Sequence, residues 1–385
     1  MTLLPEEPGT AAGDCAAGKP VLWLANEPTP YLDFLFERLA QSRFVNLTVI
    51  YLRRSAPKHP WGLRLRNVYP YLIVSEQGWW RATAEAVRLP GRLVVVGGWR
   101  RPFMAWIAAV LMSVGGTFGV WTDTPRLRSS KGVVTQLLRT VWLRLLFRKA
   151  ACVLGTGRNA VAVLARMGCP ARKLLNLPYF IDNRMFSPPV VVVPREPRRH
   201  VTLASTGRLV VASKGLDIAL KAVAATRDRL RGGVQFKYQL IGEGPDREAL
   251  GKLIAALGLA DTVTISGWMQ PADLSLAYGG VDGLIHAARF EPYGVAVLEG
   301  MACGLTVFAS SATEAAVDRI VDGENGFIHP VGDYETLSTQ LVSCIASPSV
   351  FAAMGKRARE TAEQWDAGRA VATVRRAVAL AEELG

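Results

Sequence analysis

Residues 282–310 read DGLIHAARFEPYGVAVLEGMACGLTVFAS. The runs DGLIH and LTVFAS are short and each has an apolar centre, which predicts two buried strands, and the stretch from about 295 that separates them predicts a helix. Pro292, Tyr293 and Gly294 interrupt the pattern just before that helix, which is typical of a loop. A strand, a helix and a second strand in succession predict one βαβ unit of a parallel sheet.

The same alternation of apolar runs and helical patterns extends over the rest of the chain. Half of its 385 residues are hydrophobic, which is enough for sizeable cores and excludes a disordered or coiled-coil protein. Strands are predicted at 21–26, 47–52, 93–98, 117–122, 152–157, 201–206, 238–242, 263–267, 282–286 and 305–310. Helical patterns, such as those at 31–42 and 132–149, lie between them. This order predicts an α/β fold with two doubly wound, Rossmann-like sheets.

A stretch rich in proline and arginine at about 187–200 has neither periodicity and predicts a linker. Before it we expect a loose N-terminal arm over 1–18 and a first Rossmann-like domain over 19–186. After it we expect a second such domain over 201–365, and a C-terminal helix over 366–385 that could pack back on the first domain. Because ligands of such sheets bind beyond the carboxyl ends of the strands, the two domains are expected to face a central cleft.

The net charge of +13 is concentrated in one half of the chain. Residues 1–190 contain 25 Lys and Arg against 10 Asp and Glu, whereas residues 191–385 contain 20 against 22. In Leu137–Lys149 the basic side chains alternate with leucine, tryptophan and phenylalanine, which is typical of a segment that binds an anionic membrane surface. A solvated helix face and a nucleic-acid-binding surface are the alternatives. No nucleic-acid motif accompanies the charge, so the membrane is favoured over nucleic acid.

The N-terminus and the cysteines favour a cytoplasmic protein. The first twenty residues lack the basic and apolar regions of a signal peptide. The five cysteines are odd in number and scattered, which is typical of a reduced compartment. The uncharged stretch 103–120 contains three glycines, so it predicts a buried helix near 102–113 and a strand near 117–122 rather than a membrane span.

Two carboxylates in the opening stretch suggest a ligand site. Glu291 lies on the loop before the predicted helix, and the backbone N–H groups of Tyr293, Gly294 and Val295 would form an anion site at the helix N-terminus. Glu299 lies just over one turn into this apolar helix, where a charge needs a partner. A sugar nucleotide would offer a diphosphate to the N–H groups and hydroxyls to the carboxylates. A capping Glu291 and a half-exposed Glu299 without a function are the alternative.

A second candidate group follows the predicted strand at 201–206. Gly207 permits a tight turn, and Arg208 and Lys214 bracket a short loop before an amphipathic helix. Two cations at such a junction could neutralise a diphosphate, and two solvated surface cations are the alternative. The third group, IGEGPDREAL at 241–250, is interpreted as a tight turn capped by Asp246.

Taken in this order, these residues resemble the retaining glycosyltransferases of family 4, which have the GT-B fold. The similarity covers roughly 178–366. Its motifs are Gly207-Arg208 with Lys214-Gly215, Gly242-Glu243-Gly244-Pro245, Glu291 to Glu299 with Ala302-Cys303-Gly304, Asp322-Gly323 with Asn325-Gly326, and Trp365. Where the family usually has Pro-Ser before the first glutamate, this chain has Ala287-Ala288. Where the family often has Gly-Gly followed by Glu, it has Glu314-Ala315 and Asp318. Both departures concern the contacts to the donor sugar.

The resemblance implies that the second domain binds a nucleotide-sugar donor. Arg208 and Lys214 would hold its diphosphate, Glu299 would accept the ribose hydroxyls, and Glu291 with the amides after it would orient the transferred sugar. It also implies retention of the anomeric configuration and no metal or other cofactor. The sequence has no Asp-x-Asp pair, and its histidines (His59, His200, His286 and His329) are far apart. Without a metal, the two cations and the helix N-terminus would stabilise the leaving diphosphate, which makes Arg208, Lys214 and Glu291 candidate catalytic residues.

The first half resembles the family loosely, and we assign it to the acceptor. Asp123 follows the strand at 117–122 and is one of four acidic residues in 51–190, so it is a candidate acceptor-side catalytic or polar group, with a helix N-cap as the alternative. The segment Pro28–Tyr31 resembles an acceptor-side loop of some bacterial members. His59 is the one histidine of this half, and no motif accompanies it.

The predicted function is transfer of a hexose, with retention, from a nucleotide-diphosphate sugar to a lipid-linked or polysaccharide acceptor in cell-envelope glycan synthesis. The predicted location is the inner, cytoplasmic face of the membrane, with the basic first domain against the anionic surface and no nucleic-acid partner. A nucleotide-sugar epimerase or phosphorylase of the same fold, and a non-catalytic nucleotide-sugar or membrane-binding protein, are the alternatives.

Overall fold

The chain forms two compact units, each with one parallel sheet. The computed structural model describes residues 18–55, 68–88, 91–127, 132–187, 200–230 and 235–383. The first unit comprises the chain up to Phe180 together with the segment from Ala367, and the second comprises Ile181–Asp366. The first unit thus ends at Phe180 rather than at 186. Nearly all of the predicted linker, and of the predicted arm at 1–18, lies outside the described residues.

The first unit contains a seven-stranded sheet with the order β3-β2-β1-β4-β5-β6-β7, and all its strand pairs are parallel. In chain order its elements up to Phe180 are β1 (Lys19–Ala25), α1 (Pro30–Gln41), β2 (Val45–Tyr51), β3 (Tyr71–Ile73), α2 (Val74–Gln77), α3 (Trp79–Val87), β4 (Leu93–Gly97), α4 (Pro102–Val114), β5 (Phe118–Thr122), α5 (Val133–Lys149), β6 (Cys152–Gly155), α6 (Arg158–Arg166) and β7 (Leu174–Asn176). The central strands are apolar along their length because helices cover both faces of the sheet. Helices α3, α4, α5 and α6 share one buried cluster on one of these faces.

The second unit contains a six-stranded parallel sheet with the order β10-β9-β8-β11-β12-β13. In chain order its elements are β8 (His200–Thr206), α7 (Val211–Lys214), α8 (Leu216–Arg229), β9 (Gln235–Ile241), α9 (Arg247–Ala256), β10 (Val263–Ser266), α10 (Pro271–Tyr278), β11 (Gly283–His286), α11 (Val295–Ala302), β12 (Thr306–Ser310), α12 (Glu314–Arg319), β13 (Phe327–His329), α13 (Tyr334–Ile345) and α14 (Pro348–Gln364). The sheet extends from β8 in both directions, so a topological switch point lies between β8 and β11. Ligands of open parallel sheets bind at this point.

The last helix, α15 (Ala367–Glu382), belongs to the first unit. Its Glu382 pairs with Lys19 of β1 at 2.6 Å, and its Arg375 guanidinium lies 4.3 Å from the centroid of the Phe44 ring. The Thr373 hydroxyl donates to the Asn176 carbonyl at the end of β7. The chain therefore returns to the first sheet after the second unit is complete.

The ten predicted strands are all present, and three further strands were not predicted. The additional strands are β3, β7 and β13, each of three residues and each at the edge of its sheet. A run of three residues is too short to show a period of two, so pairing with a neighbouring strand defines these strands instead.

The apolar stretch 103–120 forms a helix and a strand, as predicted. Helix α4 ends at Val114 and is followed by Gly115, whose φ of 70° is left-handed, and β5 begins at Phe118. Among the described residues, no single helix is long and apolar enough to cross a membrane. One bent pair, Tyr334–Ile345 with Pro348–Glu382, is long and apolar enough only when its two members are taken together. In that pair, α13 packs Leu337 and Leu341 into the core of the second unit.

Candidate functional site

The loops after β8 and β11 carry three of the predicted site residues at the switch point of the second sheet. Arg208 follows β8, Lys214 ends the short helix α7 beyond it, and Glu291 lies five residues after β11. Adjacent parallel strands end at the same edge of a sheet, so residues far apart in sequence are brought together there. A pocket at this edge is lined by Ser205, Thr206, Gly207, Arg208, Leu209, Lys214, Leu216, Ile285 and His286.

Gly207 shapes the first of these loops. Its φ is 130°, which side chains with a Cβ rarely adopt, and its N–H donates to the Ile241 carbonyl at 3.0 Å. A Cβ on Gly242 would overlap the Gly207 carbonyl oxygen, and one on Gly244 would overlap that of Leu209. The glycines of IGEGPDREAL therefore permit close packing of two turns.

Asp246 precedes α9 at the N-cap position, where the tight-turn interpretation placed it, but its carboxylate has another partner. Among the described residues, no side-chain hydrogen bond from Asp246 caps α9. The carboxylate accepts instead from the Val211 N–H at 2.7 Å. It therefore holds the start of α7 and, through it, the position of Lys214 at the other end of that helix.

Lys214 and Glu291 form an ion pair in which Nζ donates to Oε2. The His286 Nε2 at the end of β11 lies 3.3 Å from the same carboxylate oxygen. Burial would raise the pKa of the Glu291 carboxyl, but the contact with His286 and the charge of Lys214 outweigh burial and lower the pKa to about 2. Glu291 is therefore an anion over the physiological range of pH. Its position holds the Lys214 ammonium at the pocket.

Arg289 and Asp217 clamp the two loops together beside this ion pair. The Arg289 guanidinium donates to both oxygens of Asp217, at 2.7 Å each, and also to the Val211 carbonyl at 3.0 Å. Two successive backbone N–H groups, those of Arg289 and Phe290, donate to the Ser213 carbonyl. Burial would raise the pKa of Asp217, but the bidentate hydrogen bonds from Arg289 outweigh it and lower the pKa. These contacts join the loop of Lys214 to the loop of Glu291.

The start of α11 is packed closely against the loop before α12. Gly294 has a φ of 100° and precedes Val295, the first residue of α11. A Cβ on Gly294 would lie 2.5 Å from Thr313 Cγ2, so only glycine fits there. The Tyr293 side chain is buried and its hydroxyl accepts from Arg319 Nη2 at 3.3 Å. The predicted anion site at Tyr293, Gly294 and Val295 thus lies at a rigid helix N-terminus.

Glu299 lies inside α11 with the properties of a carboxyl in an apolar setting. Its side chain is half-buried, and burial raises its pKa to about 7. Burial raises the pKa of Tyr278 and of Cys303, and the charge of Glu299 raises both further. The Glu299 carboxyl is therefore near both side chains. The Tyr278 hydroxyl lies 2.7 Å from Thr206 Oγ1, which connects Glu299 to the end of β8 and the pocket.

Arg208 is the cation of this edge that remains available to a ligand. Its side chain is half-buried and lines the pocket together with Lys214. Within the described part of the chain, no carboxylate forms an ion pair with it. The pocket therefore combines one unpaired guanidinium with one ammonium that a carboxylate holds in place.

Asp123 follows β5 at the carboxyl edge of the first sheet, where its carboxylate contacts an aromatic side chain. Its Oδ1 accepts from the Tyr179 hydroxyl at 3.0 Å, and the Tyr179 ring packs on that of Tyr31 with centroids 4.6 Å apart. The Pro28–Tyr31 segment and Asp123 are thus joined by one tyrosine. The alternative N-cap role does not apply to α5, because the N-cap residue of that helix is Gly132. His59 lies outside the described residues.

Sequence reasoning did not identify His286, Arg289 or Asp217 as site residues. Arg289 and Asp217 are 72 positions apart, and nothing in their spacing indicates the contact. His286 and His329, which are far apart in the sequence, end β11 and β13, the two strands on either side of β12. Over the ranges described, no group of three or more His, Cys, Asp or Glu could hold a metal ion.

A known family model matches most of the second unit. Residues 193–361 match the family model of the Glycosyl transferases group 1. Among curated relatives, the putative colanic acid biosynthesis glycosyltransferase WcaL of Escherichia coli K12 is 28% identical over 231 residues, which cover 57% of this chain and 53% of that protein. The lipopolysaccharide core biosynthesis glycosyltransferase LpsE of Rhizobium meliloti is 32% identical over 157 residues, or 41% of this chain and 43% of that protein. The chain spans about half the length of these curated relatives.

A solved structure covers more of the chain at lower identity. Alr3699/HepE of Anabaena, crystallised in complex with UDP and glucose, aligns with 94% of this chain and 99% of its own length. The TM-score is 0.73 and the sequence identity is 18%, so the likeness shows the fold. Together with the two parallel-sheet units, it confirms the predicted α/β fold of the GT-B class.

Proposed function

Because the chain carries a Glycosyl transferases group 1 domain at residues 193–361, we propose that it is a retaining glycosyltransferase that uses a nucleotide-diphosphate hexose as donor. The proposed acceptor is a lipid-linked or polysaccharide glycan of the cell envelope. The names of two relatives support this choice, since one concerns colanic acid and the other the lipopolysaccharide core. The Anabaena complex with UDP and glucose makes UDP-glucose the first donor to test.

One observation carries the proposal: Arg208, Lys214 and Glu291 meet at the switch point of the second sheet. When the bond between the anomeric carbon and the diphosphate breaks, negative charge grows on the departing diphosphate. Two fixed cations can stabilise that charge without reorganisation. A metal ion is not required for this role, and we propose that the enzyme uses neither a metal nor another cofactor.

Glu291 serves the same reaction in two ways. It holds Lys214 at the pocket, and its second oxygen can orient hydroxyls of the transferred sugar. The low pKa keeps Glu291 an acceptor of hydrogen bonds rather than an acid. The N–H groups at the start of α11, from Tyr293 to Val295, add their partial positive charge beside the sugar and the diphosphate.

Glu299 is assigned to the ribose. A half-buried carboxyl near the end of β8 suits two neighbouring hydroxyls, each of which donates one hydrogen bond. Because its pKa is about 7 in the free protein, donor binding would favour the ionised form and release a proton.

The first unit is assigned to the acceptor, and its basic surface to an anionic membrane at the inner, cytoplasmic face. The charge supports this assignment, since residues 51–190 contain 22 basic and 4 acidic side chains. Asp123 is the proposed acceptor-side polar or catalytic group, because it lies at the carboxyl edge of the first sheet beside Tyr179. No nucleic acid is assigned as a partner.

Ligand binding and turnover test the proposal in two steps. Thermal unfolding with UDP, GDP and ADP identifies the nucleotide, since a tight ligand raises the melting temperature. Turnover of the matching nucleotide-glucose is then measured with and without a membrane glycan extract as acceptor. Release of the nucleotide that requires the extract supports the transferase. Sugar isomerisation without an acceptor would instead indicate an epimerase, and binding of nucleotide without turnover would indicate a non-catalytic protein.

A further inference from the structure

Helix α5 exposes an apolar surface that no other part of the described chain covers. Six large side chains on it are exposed by between 44% and 86% of their area: Val133, Val134, Leu137, Leu138, Val141 and Leu145. We call these six residues the outer face of α5. Scattered exposed leucines are ordinary in proteins, but six on one helix form a contiguous patch that needs a function.

The outer face lies opposite the side of α5 that enters the core. With 3.6 residues per turn, the six side chains span about 140° of the helix circumference. The buried residues Leu143, Leu146 and Phe147 occupy the other side. The buried residues lie in the later turns of α5, whereas five of the six outer-face residues lie in its first three turns, where packing in the first unit does not require them.

The last two turns of the same exposed side are basic. Arg144, Arg148 and Lys149 are all exposed, and α5 contains no acidic residue. Arg139 differs, because its guanidinium donates to the carbonyls of Arg126 and Leu127 and holds the segment before the helix. The exposed side thus consists of an apolar half followed by a cationic half.

Exposed tryptophans lie at the same edge of the unit as the apolar half. Trp79 and Trp80 are at the start of α3, and Trp106 is in the second turn of α4. The rings of Trp80 and Trp106 pack edge to face with centroids 6.2 Å apart. Helices that return between parallel strands begin at the carboxyl edge of the sheet, so the starts of α3, α4 and α5 share that edge. Asp123 lies at this edge as well.

We propose that the outer face of α5, together with Trp80 and Trp106 at the same edge of the unit, inserts into the surface of an anionic lipid bilayer. The apolar half would enter the boundary between head groups and acyl chains, and Arg144, Arg148 and Lys149 would contact the anionic head groups. Tryptophan suits this boundary because its ring is apolar and its N–H is polar. The inference deepens the proposed function and rests on it for the lipid-linked acceptor, which would then reach Asp123 at the same edge.

Charge decides between a bilayer and a second copy of the chain. A two-fold interface through α5 would bring the cationic half either onto itself or onto the apolar half of the partner. In neither arrangement does the partner's α5 offer an acid to Arg144, Arg148 or Lys149, since this helix has none. An anionic bilayer provides an apolar layer and a layer of negative charge side by side, which matches both halves.

Flotation with lipid vesicles tests this surface without donor or acceptor. The full chain is mixed with vesicles of phosphatidylcholine alone or with an equal part of phosphatidylglycerol. We expect binding to the anionic vesicles that weakens, but persists in part, at about 1 M salt, where the Debye length is about 3 Å. The binding that persists at high salt measures the contribution of the apolar half of α5. Absence of binding to anionic vesicles, or equal binding to both kinds, would overturn the proposal.

Two variants separate the halves of the surface. Leu137→Gln, Leu138→Gln and Val141→Gln together should lower partition onto anionic vesicles at least about tenfold. Arg144→Gln, Arg148→Gln and Lys149→Gln together should remove the preference for anionic over neutral vesicles. Leu276→Gln, at an exposed leucine of α10, and Lys252→Gln with Lys356→Gln, at exposed lysines, are the matched controls and should bind as the unchanged chain does.

Stability and oligomeric state complete the test. The melting temperature of each variant, alone and with UDP-glucose, shows whether both the fold and the donor site are intact. If UDP-glucose failed to stabilise the unchanged chain, this would count against the proposed function. Vesicle binding would still test the membrane surface, because it is measured without donor. Sedimentation that finds a dimer of the unchanged chain, and a monomer of the apolar triple variant, would assign the outer face of α5 to a second copy and overturn the membrane proposal.

Discussion

The carboxyl edges of the two sheets differ in how some of their cations are held, although each edge contains ion pairs: at the first sheet, Arg53 pairs with Glu27 and Arg54 with Glu76. At the second sheet, Lys214 is paired with Glu291, and Arg289 with Asp217. At the first sheet, Arg100 and Arg101 are exposed just before α4, at the edge where the exposed tryptophans and the start of α5 also lie. Paired charges hold a small ligand in one geometry, whereas exposed charges suit a large anionic surface. We therefore expect substitutions at the second edge to lower the rate of turnover. Substitutions at the first edge should instead weaken the use of the acceptor and leave donor binding unchanged.

The largest effect is expected for Lys214→Ala. Removing one of the two cations proposed to stabilise the departing diphosphate should lower kcat/KM about 10²- to 10³-fold. The measurement is release of UDP from UDP-glucose in the presence of a membrane glycan extract. Lys221→Ala, at an exposed lysine of α8 in the same unit, is the matched control and should keep full activity. A Lys214→Ala enzyme as fast as the control would remove Lys214 from the site.

A smaller effect is expected for Asp217→Asn, which breaks the bidentate pair but does not touch the pocket. The Ser213 carbonyl would still accept from the N–H groups of Arg289 and Phe290, so the loops should loosen rather than separate. Misplacement of Lys214 should lower kcat about tenfold, with the KM for UDP-glucose changed less. Asp217→Glu should restore part of the loss. The alternative is that Asp217→Asn and Asp217→Glu lose the same activity, and that this loss follows their loss of melting temperature. The pair of Arg289 and Asp217 would then stabilise the fold without positioning Lys214.

At the first edge, Asp123→Asn should lower transfer about tenfold, which corresponds to the loss of one hydrogen bond to a charged group. Because Asp123 belongs to the first unit, the melting shift with UDP-glucose should stay the same. Tyr179→Phe serves as the comparison, since it removes the hydroxyl that donates to Asp123 and leaves the carboxylate. A weakened donor shift in Asp123→Asn would contradict the assignment of this edge to the acceptor.

The smallest effect is a pH dependence that comes from Glu299. Its pKa of about 7 is above the ordinary value, so the free folded protein binds a proton that a ribose-bound carboxylate would release. Affinity for UDP-glucose should therefore rise with pH, severalfold between pH 6 and pH 8 and at most about tenfold. UDP-glucose is the suitable ligand because its diphosphate does not titrate in this range. Calorimetry in buffers of different ionisation enthalpy should detect the released proton.

Glu299→Gln is the control for that assignment. The amide does not titrate, so affinity for UDP-glucose should become independent of pH in the same window. It should also be weaker than that of the unchanged chain at pH 8, since a neutral acceptor binds hydroxyls less strongly than a carboxylate. A pH dependence that persists in Glu299→Gln would show that another group titrates on binding.

Particular residues show how far the sequence could be taken. The strand at 21–26 and the helix at 132–149 were predictable because a buried strand is continuously apolar and a helix has a period of 3.6. Arg208, Lys214 and Glu291 were predicted as site residues from their types and from a family resemblance. Their contact could not be derived, because Lys214 and Glu291 are 77 positions apart and meet only through the order of the strands.

The first sheet shows the same division. The excess of basic residues over 51–190 was visible in the sequence, and so was the mixture of basic and apolar residues in 137–149. The sequence could not separate Arg139, which holds backbone carbonyls, from Arg144 and Arg148, which are exposed. Nor could it separate the leucines of the core from those of the outer face, because α5 has apolar residues on both sides.

The sequence by itself determined the fold class, the alternation of elements, the types of side chain at the site and the uneven charge, because each of these depends on local composition or on a short period. Only the tertiary structure decided which charges are paired. Lys214 with Glu291, and Arg289 with Asp217, meet because β8 and β11 are neighbours in the sheet and end at the same edge. The tertiary structure also decided the two carboxyl pKa values. Burial alone raises the pKa of Glu299 to about 7, whereas His286 and Lys214 outweigh burial at Glu291 and lower its pKa to about 2.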